Sequence, residues 1–473
     1  MVIEQIYTGC LAQGAYYIES EGQAAIIDPL RETSPYIERA TKRGANIKYI
    51  FETHFHADFV SGHLDLSRKT GAQIIYGPNA KTDFEKIEAA DGQEFQLGKV
   101  TFKVIHTPGH TMESTCYLLM DESGNAHALF SGDTLFIGDV GRPDLAQKGA
   151  ELTQEMLAGY LYDSLRNKIM PLPDDVIVYP AHGAGSACGK NMSSETWSTL
   201  GEQKQSNYAL RADMTRAEFI QEVTEGLLPP PQYFAKNAKL NKSGYDSFDN
   251  VMKRGAVALT PREFETVANE TGALLLDVRS KEEFIQGFIP NSIFIGLDNS
   301  FAPWVGALVP DLQQEILIIA PAGREEETVM RLARVGYDHS IGYLKGGFEA
   351  WQKEDREVDT IATIDTASFE KAYQEDKKIN ILDVRKPGEW ASEHLEPAQH
   401  FALDFINNNM AEISKDKTYY MHCRSGYRST VAASILKARG FEKLINVHGS
   451  FEEMAASTIP TTVAICPETG KPL

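Results

Sequence analysis

Residues 51–63, F-E-T-H-F-H-A-D-F-V-S-G-H, set His54, His56 and Asp58 at alternate positions directly after the apolar run I-K-Y-I, with His63 further on. Imidazole nitrogens and carboxylate oxygens are the donors that divalent metals take, and a site needs several such segments to converge. Three more offer themselves: T-P-G-H-T with His110, F-S-G-D-T with Asp133 and Y-P-A-H-G with His182. Each follows a short apolar run, so four strand ends carrying His or Asp before a turn can line one edge of a sheet. A lone strand-end histidine is more often structural, whereas four such segments in series form a constellation. Phe59, directly after Asp58, cannot coordinate and sits where one more ligand would be expected.

A different chemistry is written in Y-Y-M-H-C-R-S-G-Y-R-S-T-V-A-A-S-I-L-K, an apolar strand running into a Gly-containing loop and then a helix. Cys423 there faces successive backbone N–H groups and a helix N-terminus, with Arg424 and Arg428 adding positive charge, and each of these favours thiolate. The same cradle, Arg424-Ser425-Gly426-Tyr427-Arg428, suits a sulfur oxyanion. The other cysteines are Cys10, Cys116, Cys188 and Cys466. Five scattered thiols argue against a disulfide framework. Cys10 and Cys116 read as packing residues, and Cys466 has no predictable place. Cys188 lies on the Gly-rich stretch H-G-A-G-S-A-C-G-K, which can approach a ligand closely; it is either a sulfur acceptor or an inert buried thiol.

The elements that must hold these residues fall into three blocks. The 473 residues exceed one core, and 42% hydrophobic with 24% charged residues is ordinary globular composition. Over the first 230 or so residues, β-rich runs (A-Y-Y-I, A-A-I-I-D-P, I-K-Y-I-F, Q-I-I-Y, V-T-F-K-V-I, H-A-L-F, V-I-V-Y-P) alternate with helical stretches such as 34–43. Three prolines at 229–231 and a polar stretch mark a connection, with a boundary near Gly244 to Asn250. Beyond it the chain repeats: L-L-L-D-V-R around Asp277 recurs as N-I-L-D-V-R around Asp383, 106 residues later, and K-G-G-F-E-A-W matches H-G-S-F-E-E-M. The first copy has I-I-A-P-A-G-R-E-E-E where the second has its cysteine loop, so thiol chemistry is excluded there. The expected domains are 1–245, 255–358 and 360–462.

A net charge of -20 excludes wholesale affinity for nucleic acid or anionic membrane. Neither a signal-peptide layout nor a membrane-spanning apolar run is evident, so a cytoplasmic protein is expected.

The ordered set H-x-H-x-D, P-G-H-T, S-G-D-T and P-A-H-G resembles the metallo-β-lactamase superfamily, which implies an αββα sandwich over most of residues 1–240. C-R-S-G-Y-R, L-D-V-R and E-H-L-E-P-A resemble the rhodanese family, implying an active α/β domain after an inactive copy. Superfamily hydrolases of the glyoxalase II type complete a two-metal site with a histidine where Phe59 stands. The departure fits the persulfide dioxygenase branch, which implies one Fe(II) on His54, His110 and Asp133, with His56, Asp58 and His182 beside the ligands. Zinc is the alternative metal, since Asp58, Asp133 and His182 can sustain a weakened second site.

The same branch implies that Arg142 grips the carboxylate of a thiol cofactor, the alternative being a salt bridge to Asp144. The expected function is oxidation of a small thiol persulfide by O2 to sulfite and thiol. Coupled to it, Cys423 interconverts persulfide, sulfite and thiosulfate, in sulfide detoxification. A zinc thioester hydrolase with an appended sulfurtransferase, or a sulfur carrier or sensor without turnover, are the rivals. A homo-oligomer paired through the first domain is compatible with the family resemblance.

Overall fold

The structure is a computed structural model, and it describes residues 1–147, 149–298 and 300–464. Cys466 lies outside them. The chain divides into two compact units, one of Met1–Asn250 with Ala333–Gly336, the other beginning at Val251 and omitting that short segment.

In the first unit, strands Val2–Thr8, Gln13–Ser20, Gln23–Ile27, Asn46–Glu52, Gln73–Tyr76 and Ile87–Glu88 form one sheet in that order. A second sheet runs Ser198–Thr199, Ile177–Pro180, Ala126–Gly132, Thr115–Met120, Val100–His106, Glu94–Leu97. Alternation along these strands sends one side-chain set between the sheets. Ile18, Ile27, Phe51, Phe102, Tyr117 and Phe130 meet there in one buried cluster. Phe51 lies 4.7–5.8 Å, ring to ring, from Phe95, Phe102 and Tyr117. Its loss to alanine is expected to cost about 3–5 kcal/mol.

The outer face of the first sheet is covered by apolar residues of helices Ser34–Arg43 and His63–Thr70. That of the second is covered by Gln154–Ser164, Leu200–Ser206 and Arg216–Thr224. The layers are therefore αββα. Each of the seven runs expected to be strands contributes to one.

Topology brings the donors to one edge. Ala126–Gly132 and Ile177–Pro180 run parallel, so Asp133 and His182 emerge at the same sheet end. Across the sandwich, Thr115 N donates to Thr53 O at 2.9 Å, which ties the His54 loop to the second sheet. The stretch after the three prolines, read from sequence as a connection, is instead helical over Phe234–Ser243. Its buried Asn241 donates to the carbonyls of His56 (2.7 Å) and Phe59 (2.8 Å) and accepts from Ser61 N (2.8 Å). That side chain satisfies three backbone groups of the histidine loop, which fixes the loop where no regular ladder could.

The second unit contains two five-stranded sheets of identical order and wholly parallel pairing. The first is Ala258–Leu259, Ser340–Leu344, Ile316–Ile319, Leu274–Asp277, Ile293–Phe294. The second is Ala362–Asp365, Leu444–His448, Tyr419–His422, Asn380–Asp383, Ala398–His400. Asp277 pairs in register with Ile319, and Asp383 with His422. The next residues, Ala320 and Cys423, are thus counterparts.

Candidate metal centre and sulfur-transfer loop

His54, His110 and Asp133 come together with donor atoms within 4.8 Å of one another, all three buried. Nε2 of His54 lies 3.7 Å, and Nε2 of His110 3.4 Å, from Asp133 Oδ2. The other ring nitrogens are committed. His110 Nδ1 donates to Arg142 O at 2.9 Å. Thr53 Oγ1 gives its proton to Asp28 Oδ2 and so accepts from His54 Nδ1, each at 2.9 Å. Both imidazoles therefore turn an Nε2 lone pair toward Asp133 Oδ2, a buried oxygen without a hydrogen-bond partner. Two imidazole Nε2 atoms and one unsatisfied carboxylate oxygen fit a divalent cation.

The electrostatics agree with that donor set. Burial, then neighbouring His56, holds His54 well below the usual histidine range and so unprotonated. Burial works against the Asp133 carboxylate, but His182 and His54 outweigh it and keep the group ionised. Two close approaches require glycine. At Gly132, where φ is +54°, a Cβ would come 2.7 Å from Thr53 Cβ, and one on Gly141 would lie 2.0 Å from Asp133 O and 2.9 Å from His110 Nδ1.

Asp58, His182 and Cys188 form an adjacent buried group, again within 4.8 Å. His182 lies between two carboxylates, Nδ1 2.7 Å from Asp133 Oδ1 and Nε2 2.8 Å from Asp58 Oδ2. Burial opposes its charge, yet Asp133 and Asp58 prevail and hold it protonated. Cys188 is 1% exposed, and burial followed by Asp58 and Asp133 pushes its thiol up.

His56 turns away from His54 toward a third group, with Nε2 3.0 Å from Asp28 Oδ1 and 3.5 Å from Glu52 Oε2. His63 Nδ1 is 3.3 Å from Glu52 Oε1. Phe59 stacks on His56 at 4.3 Å and is fully buried, an apolar wall at the place of a donor. Asp28, Glu52, Thr53 and Asn241 escaped the sequence reading. Asp28 in A-I-I-D-P directly follows a strand and Glu52 in F-E-T ends one, which is the one local signal they give.

Arg142 takes the alternative that its sequence left open. Nε and Nη2 donate to Asp144 at 2.6 and 2.7 Å, while Nη1 and Nη2 also reach the carbonyls of Ala187 and Leu228. A guanidinium so satisfied, and 7% exposed, is not presenting a fork to a ligand. Of the two cysteines read as packing residues, Cys116 is buried and Cys10 is partly buried.

In the second unit, Cys423 is 1% exposed at the end of strand Tyr419–His422, before helix Tyr427–Ala438. Three consecutive carbonyls of its loop are engaged: Phe451 N donates to Arg424 O (2.9 Å), Lys281 Nζ to Ser425 O (2.6 Å) and Thr430 N to Gly426 O (3.2 Å). In a trans peptide the N–H opposes the C=O, so the N–H groups of Ser425, Gly426 and Tyr427 turn away from those donors. This is an anion-cradling arrangement. Arg428 is held by Glu389 through Nη1 (2.5 Å) and Nη2 (2.8 Å). Arg424 extends toward solvent, and His422 is buried in a stack with Phe451.

A metallo-β-lactamase superfamily model matches residues 8–182, and a rhodanese-like domain model matches 260–354 and 366–457. Among solved structures, "Metallo-beta-lactamase from Staphylococcus aureus subsp. aureus COL" aligns with TM-score 0.64 and 33% identity, over 73% of this chain and 98% of that one. Persulfide dioxygenase ETHE1, mitochondrial, of Homo sapiens is 31% identical over 214 residues, 44% of this chain and 74% of that protein. Hydroxyacylglutathione hydrolase of Tolumonas auensis is 37% identical over 171 residues, 35% of this chain. This chain spans 57–60% of the length of that relative and two further hydrolases of the same name. Among the described residues no helix is long and apolar enough to cross a membrane. The chain belongs to the metallo-β-lactamase superfamily, and two rhodanese-like domains follow that fold.

Proposed function

We propose that the protein is a persulfide dioxygenase fused to a sulfurtransferase: RSSH + O2 + H2O gives RSH, sulfite and two protons, and Cys423 exchanges sulfur between persulfide, sulfite and thiosulfate. The observation that carries the reading is the convergence of His54, His110 and Asp133 into a two-histidine, one-carboxylate face, with the apolar ring of Phe59 stacked on the neighbouring His56. Such a face suits non-haem Fe(II), which when bound supplies open positions for dioxygen and a substrate sulfur. Thr53 and the Arg142 carbonyl orient the two imidazoles, and Asp133 balances charge. The protonated His182 bridges Asp133 and Asp58 and holds both carboxylates at the same edge. The persulfide dioxygenase name of the human relative supports the same choice.

Cys423 would attack the outer sulfur of thiosulfate, releasing sulfite and leaving a cysteine persulfide, while the loop N–H groups hold the oxyanion. Run in reverse, the step consumes the sulfite that the first domain makes. As a thiolate, Cys188, beside Asp58 and His182, would take the outer sulfur of RSSH and release RSH.

A second reading is favoured by the Asp58, His182 and Cys188 group and by the hydrolase relatives: a two-zinc thioester hydrolase. Metal analysis with oxygen uptake separates the two. About one iron per chain with persulfide-dependent uptake is expected; two zincs, thioester cleavage and no uptake would sink the dioxygenase.

A further inference from the structure

The cysteine-free repeat reaches into the loop of the active one. Phe294 N donates to Ser434 Oγ at 2.9 Å, Tyr427 Oη donates to Gly296 O at 3.4 Å, and Lys281 Nζ donates to Ser425 O at 2.6 Å. A Cβ added to Gly426 would meet His448 Nδ1 at 3.2 Å and Lys281 Nζ at 3.6 Å, so the ammonium lies directly against the loop backbone.

The cations around the Cys423 loop are not equivalent. Arg428 is neutralised by its two-pronged bond to Glu389. The Arg424 side chain is 69% exposed and 3.6 Å from Glu452. Lys281 is 21% exposed in its side chain, and its nearest carboxylate, Glu282, is 3.7 Å away and itself 64% exposed. Lys281 therefore combines partial burial, a weak counter-charge and a fixed position on the loop. Its bond to the Ser425 carbonyl also turns the Gly426 N–H to the opposite side.

We propose that Lys281, supplied by the repeat that has no cysteine, is the positioning cation that makes the Cys423 loop select doubly charged sulfur oxyanions such as thiosulfate and sulfite. The proposal rests on Cys423 being the sulfur-transferring thiol. The inactive repeat then presents a charge that the active loop, whose own arginines are paired or solvated, does not hold in place. Attraction of this kind acts on anionic reactants and fades with salt, whereas scaffolding acts on all reactants alike.

The test compares full-length wild type, Lys281→Gln and Lys281→Arg in alkylation of Cys423 by neutral iodoacetamide and anionic iodoacetate, read by peptide mass mapping. Lys281→Gln should lower the iodoacetate-to-iodoacetamide rate ratio about three- to tenfold at low salt, with the difference shrinking toward 1 M salt. Lys281→Arg should retain most of the ratio. In steady-state assays the glutamine variant should raise KM for thiosulfate more than it lowers kcat. An unchanged ratio, or equal slowing of both reagents, would overturn the proposal. Thiosulfate exchange that survives Cys423→Ser would instead remove the sulfurtransferase reading and the proposal with it.

Discussion

Thr53→Val should weaken metal binding without touching a ligand. The hydroxyl of Thr53 donates to Asp28 Oδ2 and accepts from His54 Nδ1, each at 2.9 Å, in a site where Asp28 is 1% and His54 2% exposed. Valine keeps the shape and deletes both bonds. Asp28 retains its bond from Thr53 N at 2.8 Å, so the loop should still close. Two buried polar groups are left short of a partner, at about 1–3 kcal/mol each, which predicts roughly 2–6 kcal/mol of lost stability in the metal-free protein. The second effect is specific. Without an acceptor at Nδ1, His54 gains access to the tautomer that carries its proton on Nε2, aimed at Asp133 Oδ2 in place of a lone pair. Losses of orienting partners cost about 10- to 100-fold in metal affinity, or roughly 1.4–2.8 kcal/mol. Anaerobic Fe(II) or Co(II) titration against a chromophoric chelator measures that affinity, and thermal melting of the metal-free form measures the first term. Thr53→Ser should restore both. Wild-type affinity in Thr53→Val, beside complete loss in His54→Ala, would refute the claim that this hydroxyl sets the tautomer.

Cys423→Ser should abolish thiosulfate exchange and leave oxygen uptake on a supplied persulfide largely intact; equal loss of both activities would show that they are not partitioned between the two units. In protein stripped of metal and reloaded with zinc, Phe59→His should raise bound zinc from about one toward two per chain by elemental analysis, because an imidazole would join Asp58, His182 and Cys188; unchanged stoichiometry would count against Phe59 as the barrier to a second metal. His63, packed among Phe84, Tyr245 and Tyr76, has its pKa lowered by burial to about 3. Because the unfolded chain takes up that proton near pH 6.5 and the folded one only near 3, its contribution to stability is complete above about pH 6.5 and falls with acid by up to about 1.4 kcal/mol per pH unit. Melting temperatures between pH 7 and 4.5 should therefore fall more steeply for wild type than for His63→Phe; parallel slopes would contradict the assignment.

What the sequence disclosed follows a physical pattern. Donors that end apolar strands were legible, since a β-branched run followed by His or Asp and a turn residue is a local signal. The strand Thr115–Met120, T-C-Y-L-L-M, was not, because an uninterrupted buried run lacks the alternation that marks a half-exposed strand. Asn241 was beyond reach for a different reason. It sits about 180 residues from the loop it clamps, in a segment whose prolines and polar residues suggested a connection. Arg142 shows the limit of motif transfer: its type and place invite a carboxylate ligand, and Asp144, two residues on, already occupies the fork. Lys281 gave no sequence signal, because its partner lies 144 residues away in the other copy of the repeat.

The two repeats separate what the fold needs from what the chemistry needs. In each, the aspartate ending the second strand grips the arginine two residues on, Asp277 with Arg279 and Asp383 with Arg385, both at 2.6 Å. In each, that guanidinium lies over a phenylalanine, Phe348 at 4.1 Å and Phe451 at 3.5 Å. These anchors are shared, so their cost and benefit belong to the sheet and not to catalysis. The difference begins one residue beyond strands Ile316–Ile319 and Tyr419–His422, at Ala320 against Cys423. In the copy without cysteine, Arg324 is tied to Glu327 and Asp298, and Glu325 and Glu326 stand in the first helical turn, where they complement the helix dipole and repel an anion. In a Cys423→Ser background, restoring a thiol by Ala320→Cys should therefore give no thiosulfate exchange, since the carboxylates occupy the field that a cradle requires. Exchange that appeared in that double variant would mean that the missing thiol is the whole defect.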